Sequence, residues 1–219
     1  MTPSSLVLLG DSILDNRPYT APDPDTVTHL RRLVAPARAP VLLARDGARM
    51  RDVGGQLDGW RGEIDVAVLS VGGNDVTAHL PLLDRRNTSA AALFGDLLTV
   101  ADEFEREYAR LAARVAGRAH RTVLCTIYEV RLEPPRYARL ARVPLAVLND
   151  RIIRVASGLG LDVLDLRSVC NRPEDFVLQI EPSAQGAAKI ASAIAALVEG
   201  PGSLPSAAVF TAPRGTPSA

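Results

Sequence analysis

The feature that most constrains the fold is a short apolar run, residues 6–9, which stops at Gly10 and is followed at once by Asp11 and Ser12. Consecutive Leu and Val residues closed by a glycine predict a strand buried in the middle of a sheet. In open parallel α/β sheets, ligands bind just outside the carboxyl ends of the strands. Ser12 is therefore a candidate nucleophile, and capping of the next helix is the alternative interpretation.

A second polar signal follows another predicted strand, residues 64–70. Two glycines, Gly72 and Gly73, come next and allow the backbone to approach a ligand closely. Asn74 then offers an amide donor at a strand end. Because parallel strands end at one rim of the sheet, we expect Asn74 to lie near Ser12.

Strand-like and helix-like segments alternate along the whole chain, which predicts an α/β fold: a three-layer α/β/α sandwich around a five-stranded parallel sheet. The predicted strands are residues 6–9, 41–45, 64–70, 121–127 and 161–166. The predicted helices are residues 24–34, 48–57, 91–116, 143–155 and 187–198. We expect one domain over residues 1–200, followed by a flexible tail over residues 201–219 that is rich in Pro, Ser, Ala, Gly and Thr.

Two short motifs resemble the first and third blocks of the GDSL, or SGNH, hydrolases, a family of esterases and lipases. They read Gly10-Asp11-Ser12 and Gly73-Asn74-Asp75. The resemblance extends from Leu6 to about Leu197 and implies a flavodoxin-like strand order.

For the site, the resemblance implies that Ser12 is the nucleophile. It further implies that the Ser12 N–H, the Asn74 amide and the N–H of a glycine after the second strand form the oxyanion hole. Gly47 is the candidate for that glycine, although most turn glycines serve only the turn.

The last block of the family, Asp-x-x-His-Pro, is not matched, since this chain reads Leu178-Gln179-Ile180-Glu181-Pro182. Aligned on the proline, Glu181 stands where the family has its general base and Leu178 where it has the orienting Asp. An exposed Glu, with a pKa of about 4.3, is a weaker base than imidazole. Burial raises the pKa of a carboxyl, so Glu181 is the candidate base at reduced efficiency.

Other bases are open alternatives. His79 follows Asn74 by five residues on the same rim, whereas His29 and His120 are weaker candidates. Several further polar residues and one glycine are expected close to the site. They are Asp11, Asp15, Asn16, Gly73, Asp75 and His79. An Asp beside a turn usually fixes that turn, which is the expectation for Asp11.

The amino-acid composition restricts the classes of partner that the protein is expected to bind. With 25 basic and 25 acidic side chains, the formal net charge is zero, which gives no electrostatic footprint for nucleic acid or an anionic membrane. The start of the chain lacks a signal-peptide pattern, so a cytoplasmic location is expected. Cys125 and Cys170 show no metal-ligand spacing, so we expect buried thiols and no metal or cofactor.

Three functions are compatible with these residues. The first is hydrolysis of a small-molecule ester or related acyl group through Ser12. The second keeps the pocket but uses Glu181 for proton transfer, cyclisation, elimination or acyl transfer. The third is a degenerate hydrolase that only binds a ligand or a partner. Loops at residues 17–22, 78–88 and 128–142 are expected to wall the pocket, and their composition suggests at most an Arg-assisted anionic substrate; the oligomeric state is open.

Overall fold

A computed structural model describes residues 5–85 and 88–199. Its centre is a five-stranded sheet in the order β2-β1-β3-β4-β5, with every neighbouring pair parallel. The strands are β1 (Leu6–Gly10), β2 (Pro40–Leu42), β3 (Ile64–Ser70), β4 (Ala119–Cys125) and β5 (Asp162–Leu164). This is the predicted α/β fold with a flavodoxin-like strand order.

Helices cover both faces of the sheet. They are α1 (Arg17–Thr20), α2 (Thr26–Leu33), α3 (Met50–Asp58), α4 (Gly73–Thr77), α5 (Ala90–Ala116), α6 (Pro135–Leu159), α7 (Leu166–Val169) and α8 (Ala184–Glu199). Short 3-10 helices span Pro36–Arg38, Leu80–Asp84 and Pro173–Asp175. The three-layer sandwich predicted from the alternating segments is confirmed.

The strand β1 shows how the two cores form. Leu6 and Leu8 face a core built with α2 and α8, whereas Val7 and Leu9 face the core built with α3, α5 and α6. Side chains alternate between the faces of a strand, so all four are buried. The strand that carries the site is therefore fixed by packing from both sides. Cys125 and Cys170 are free and buried, as predicted.

Two helix starts were wrong. Pro144 was expected at the start of a helix, but α6 begins at Pro135 and Pro144 lies inside it. Pro135 occupies the first helical turn, where a missing N–H costs nothing. The helix α2 begins after Asp25, whose side chain accepts from Thr28 N at 2.8 Å, rather than after Asp23.

A small antiparallel hairpin, β6 (Phe176–Val177) and β7 (Glu181–Pro182), was missed by the sequence analysis. Its turn holds Leu178 and Gln179 at positive φ, 47° and 72°, which gave no sequence signal because neither residue type favours that region. The hairpin matters because it carries Glu181. The tail predicted at residues 201–219 lies outside the described residues.

Candidate active site

The end of β1 is held in a conformation that only glycine can adopt. Gly10 has φ 130°, and a Cβ there would lie 1.8 Å from the Ser70 carbonyl oxygen of β3. The side chain of Gln56 on α3 binds both peptide groups of Gly10: it accepts from the N–H at 2.9 Å and donates to the carbonyl at 2.8 Å. These contacts fix the backbone immediately before Ser12.

Ser12 lies in the tight turn that follows. The Asp11 carbonyl accepts from the amides of Leu14 and Asp15, and Asp11 Oδ1 accepts from Ile13 N at 3.2 Å. In the described part of the chain, no backbone N–H donates to the Ser12 hydroxyl, and α1 starts later. Ser12 is thus 93% shielded from solvent without acting as a helix cap.

Glu181 is brought to Ser12 by the hairpin. Tyr128 Oη donates to the Ile180 carbonyl at 2.6 Å, and Arg131 N donates to the Gln179 carbonyl at 2.8 Å, so the turn before Glu181 is anchored to the segment after β4. The Ser12 hydroxyl lies close enough to the Glu181 carboxylate to lower its pKa. The structure therefore brings these two predicted residues together.

The electrostatics of Glu181 are unusual. Its side chain is buried, at 9% exposure, and its Oε2 has no hydrogen-bond partner among the described residues. Burial raises the pKa of Glu181, the nearby Ser12 hydroxyl partly offsets this, and the charge of Asp46 raises it further. A carboxyl with a raised pKa and an unoccupied oxygen is suited to accept a proton.

Gly47 lies in the loop after β2 at φ 75°, a conformation that favours glycine. Asp15 holds the adjacent residue, since its Oδ2 accepts from Asp46 N at 3.0 Å. Asp46 in turn accepts from the hydroxyl of Tyr19 at 2.9 Å. Within residues 5–85 and 88–199, the backbone N–H groups of Ser12 and Gly47 donate to no other group. Both are free to bind a ligand oxygen.

The residues at the start of α4 hold the other side of this loop. Asn74 Nδ2 donates to the Ala48 carbonyl at 3.0 Å, and Asp75 Oδ2 accepts from Met50 N at 3.1 Å. Burial raises the pKa of Asp75, and the hydrogen bond from Met50 opposes that rise. Asn74 thus has one amide proton engaged and the other available.

Asp11 is buried beneath the site. Burial raises its pKa to about 8, and the nearby charges of Glu181 and Asp75 raise it as well. At neutral pH the carboxyl is therefore mostly protonated. Gly73 lies close by, because a Cβ there would be 4.0 Å from Asp11 Oδ2.

Two residues that were expected close to Ser12, Asn16 and His79, make no contact with it among the described hydrogen bonds. Asn16 is fully buried and bonded to Thr26, whose N–H donates to its Oδ1 at 3.0 Å and whose hydroxyl accepts from its Nδ2 at 2.8 Å. It holds α2 in place and is not free for a ligand. His79 is exposed, and in the described residues no hydrogen bond links its ring to Ser12 or Glu181.

A cavity of about 350 Å³ lies beside the site, between α4, the 3-10 helix at Leu80–Asp84 and the first turns of α5 and α6. Two of the loops expected to wall a pocket contribute to it, but its lining is largely apolar. The described residues contain no cluster of side chains able to hold a metal ion, and none of their helices is long and apolar enough to cross a membrane.

Three side chains that organise the site escaped the sequence analysis: Gln56, Asp46 and Tyr128. Gln56 bonds Gly10, which is 46 residues away, and Asp46 acts on Glu181 through its charge. Neither interaction leaves a local sequence pattern. Tyr128 offered a weak signal, since it is a polar aromatic residue just beyond the carboxyl end of a strand.

Comparison with solved structures shows the fold. An extracellular lipase from Streptomyces rimosus superposes with a TM-score of 0.66 at 13% identity, covering 89% of this chain and 99% of that chain. LAE5, an α/β hydrolase from the metagenome of Lake Arreo, gives 0.64 at 24% identity over 90% and 95%. The acetylxylan esterase Axe2 of Geobacillus stearothermophilus gives 0.62 at 18% identity over 89% and 94%. A search of curated proteins finds no significant match.

The sheet order and these likenesses define the fold class of the protein as a three-layer α/β sandwich with a flavodoxin-like parallel sheet. A model of the GDSL-like lipase/acylhydrolase family matches residues 8–189, and the chain belongs to that family. Membership supports acyl hydrolysis as the class of reaction.

Proposed function

We propose that the protein is a serine esterase in which Ser12 is the nucleophile and Glu181 is the general base. The observation that carries the proposal is the proximity of two buried groups beyond the end of β1, the Ser12 hydroxyl and the Glu181 carboxylate, whose pKa the hydroxyl lowers. A serine hydroxyl is a poor nucleophile at neutral pH unless a neighbouring base accepts its proton. Glu181 is a titratable group close to it.

The reaction runs in two steps. The Ser12 Oγ forms a bond to the ester carbonyl carbon while its proton passes to Glu181, and cleavage of the ester C–O bond releases the alcohol, which takes that proton. Water then attacks the acyl group and gives a proton to Glu181. The bond to Ser12 Oγ breaks, the oxygen regains the proton, and the acid leaves.

The oxyanion of each tetrahedral intermediate is stabilised by three donors: the N–H groups of Ser12 and Gly47 and the free amide proton of Asn74. Losing one such donor costs about 10²- to 10³-fold in kcat. The support for this arrangement is that both N–H groups are unoccupied and that the Gly47 loop is held on two sides, by Asp15 and by Asn74.

Glu181 is a weaker base than the imidazole of the family. General-base assistance is worth roughly 10²- to 10⁴-fold, and the efficiency rises as the pKa of the base approaches the working pH. The raised pKa of Glu181 moves it in the favourable direction. We therefore expect a working esterase that is slower than relatives with the complete Asp-x-x-His-Pro block.

The test is intact-mass analysis after treatment with a serine-directed fluorophosphonate. Wild type should gain one adduct, Ser12→Ala should gain none, and Glu181→Gln should react at least a hundredfold more slowly. Ser192→Ala and Glu174→Gln, exposed positions away from Ser12, serve as matched controls and should label like wild type. Labelling of Ser12→Ala at the wild-type rate would overturn the assignment of the nucleophile.

The unoccupied Oε2 of Glu181 favours one second candidate, a proton transfer on a carbonyl substrate without an acyl-enzyme. The two functions differ in their dependence on Ser12. Turnover that survives in Ser12→Ala but disappears in Glu181→Gln would support proton transfer; loss in both variants, together with the adduct, would support the esterase.

A further inference from the structure

The apolar cavity touches the site on two sides. Gly73, which adjoins Asn74, forms part of its wall, and so does Ile180, which adjoins Glu181. Ile127, just beyond the end of β4, lies in the wall as well. The cavity wall therefore includes the chain neighbours of two site residues, Asn74 and Glu181.

The lining is suited to a hydrocarbon chain. Of the 22 described residues around the cavity, three have polar side chains: Thr77, His79 and Arg85. Arg85 is paired with Asp96, so its charge is already neutralised. The Arg-assisted anionic substrate expected from the sequence is not supported by this wall, and a sugar would find few donors and acceptors for its hydroxyl groups.

The outer edge of the cavity is apolar too. Phe94 on α5 is 58% exposed, and Leu140 and Val143 on α6 are 48% and 57% exposed. All three line the cavity. Large apolar side chains exposed side by side mark sites that bind apolar ligands.

From this geometry we propose that the cavity binds the acyl chain of the substrate and that the preferred substrates are medium-chain esters. One water occupies about 30 Å³ of liquid and a methylene group is of similar size, so 350 Å³ accommodates on the order of a dozen carbon atoms. The proposal rests on Ser12 acting on an ester. It specifies in addition that the acyl chain of that ester is apolar and of medium length.

Chain-length dependence tests this directly. Burial of one methylene group is worth about fourfold in binding, so kcat/KM for p-nitrophenyl esters should rise about fourfold per methylene from acetate to octanoate. A flat series, or one that is highest at acetate, would overturn the proposal.

A matched pair of variants locates the effect. Leu140→Glu places a charge in the cavity wall, and Leu33→Glu places one at an equally exposed position on α2, outside the cavity. Leu140→Glu should lower kcat/KM for octanoate at least tenfold and leave acetate within twofold, while Leu33→Glu should change neither. Equal effects of the two variants would contradict the assignment of the cavity.

A binding measurement separates this proposal from the esterase itself. Octanamide is neutral and is compared with acetamide by calorimetry on the Ser12→Ala protein, where turnover plays no part. Saturable binding of octanamide that Leu140→Glu weakens would uphold the cavity even if no ester were hydrolysed. Ester hydrolysis without saturable octanamide binding would uphold the esterase and overturn the acyl-chain site.

Discussion

Two buried carboxylates at the β6–β7 hairpin have opposite surroundings: Asp175, which immediately precedes β6, and Glu181, which lies in β7. Asp175 is fully buried, and its oxygens accept from the backbone amides of Asn171 and Arg172 at 3.0 and 2.9 Å and pair with Lys189 at 2.7 Å. These partners outweigh burial and hold its pKa below the usual range. Glu181 has the Ser12 hydroxyl nearby and an oxygen with no partner among the described residues, and burial raises its pKa.

This difference distinguishes Asp175, a carboxylate with a structural role, from Glu181, a carboxylate able to accept a proton. A charge that is fully hydrogen-bonded stabilises the folded chain, whereas a buried charge with an unpaired oxygen opposes folding. We expect the folded protein to be more stable with a neutral residue of the same shape at position 181 than with Glu181. Active sites are where such opposition between stability and function is expected.

The largest effect should come from Glu181→Gln, which keeps the shape and removes the base. We expect kcat/KM for an octanoate ester to fall about 10²- to 10⁴-fold, while the free energy of unfolding stays the same or rises because a buried charge is removed. Steady-state kinetics and urea unfolding on the same protein check both. A variant that is both active and destabilised would show that Glu181 behaves like Asp175.

Asp175→Asn should show the reverse pattern. The substitution replaces a charged acceptor of two backbone amides and of the partly exposed Lys189 by a neutral one, which should cost about 1.5 to 3 kcal/mol in free energy of unfolding. Since the folded pKa of Asp175 is lowered, its stabilisation exists above the ordinary Asp pKa and disappears as the pH falls through the folded value. Urea unfolding between pH 3 and 7 measures this, with Glu174→Gln as the exposed control. An unchanged unfolding free energy at pH 7 would contradict the structural role.

Sequence reasoning reached the Ser12 end of the site because it depends on local signals, whereas the sheet order followed from the resemblance to the GDSL hydrolases. A four-residue apolar run and a glycine at its end suffice to place a strand end, and Asn74 follows the same logic on β3. The proximity of Ser12 and Glu181, by contrast, depends on a hairpin whose turn uses left-handed backbone at Leu178 and on a hydrogen bond from Tyr128.

The apolar wall shows a second limit. The loops that form it are rich in Arg, so composition suggested an anionic ligand. Helix α6, however, begins at Pro135 and directs Leu140 and Leu145 to the cavity, while Arg142 pairs with Glu129 outside it. Which side of a helix faces a pocket depends on where that helix begins, and Pro144 gave the wrong start.

Asp11 is a third buried carboxyl, and its effect on the pH dependence of the free energy of unfolding can also be tested. Its pKa of about 8 means that the folded chain holds a proton that the unfolded chain releases above the ordinary Asp pKa near 3.8. Stability therefore falls as the pH rises between these values and levels off above 8. Asp11→Asn should remove this slope and raise the free energy of unfolding at pH 7 relative to wild type, because the cost of the raised carboxyl pKa is removed. Urea unfolding at pH 5, 7 and 9 checks it, and curves parallel to wild type would show that Asp11 is ionised in the folded protein.

The smallest effect is a shift in pH dependence. Glu181 must be ionised to accept the Ser12 proton, so kcat/KM should fall as the pH drops through its raised pKa and remain level above it. Glu181→His replaces the carboxylate with an imidazole of pKa about 6.5, which must be neutral to act. The acid limb of the profile should then move, because the titrating group has changed from a buried carboxyl to an imidazole. Rates for the octanoate ester between pH 4 and 9 measure the shift, with Glu174→His as the control that should leave the limb where it is. If the Glu181→His limb coincides with that of wild type, the titrating group lies elsewhere, and His79, exposed at the edge of the cavity, is the residue to replace next.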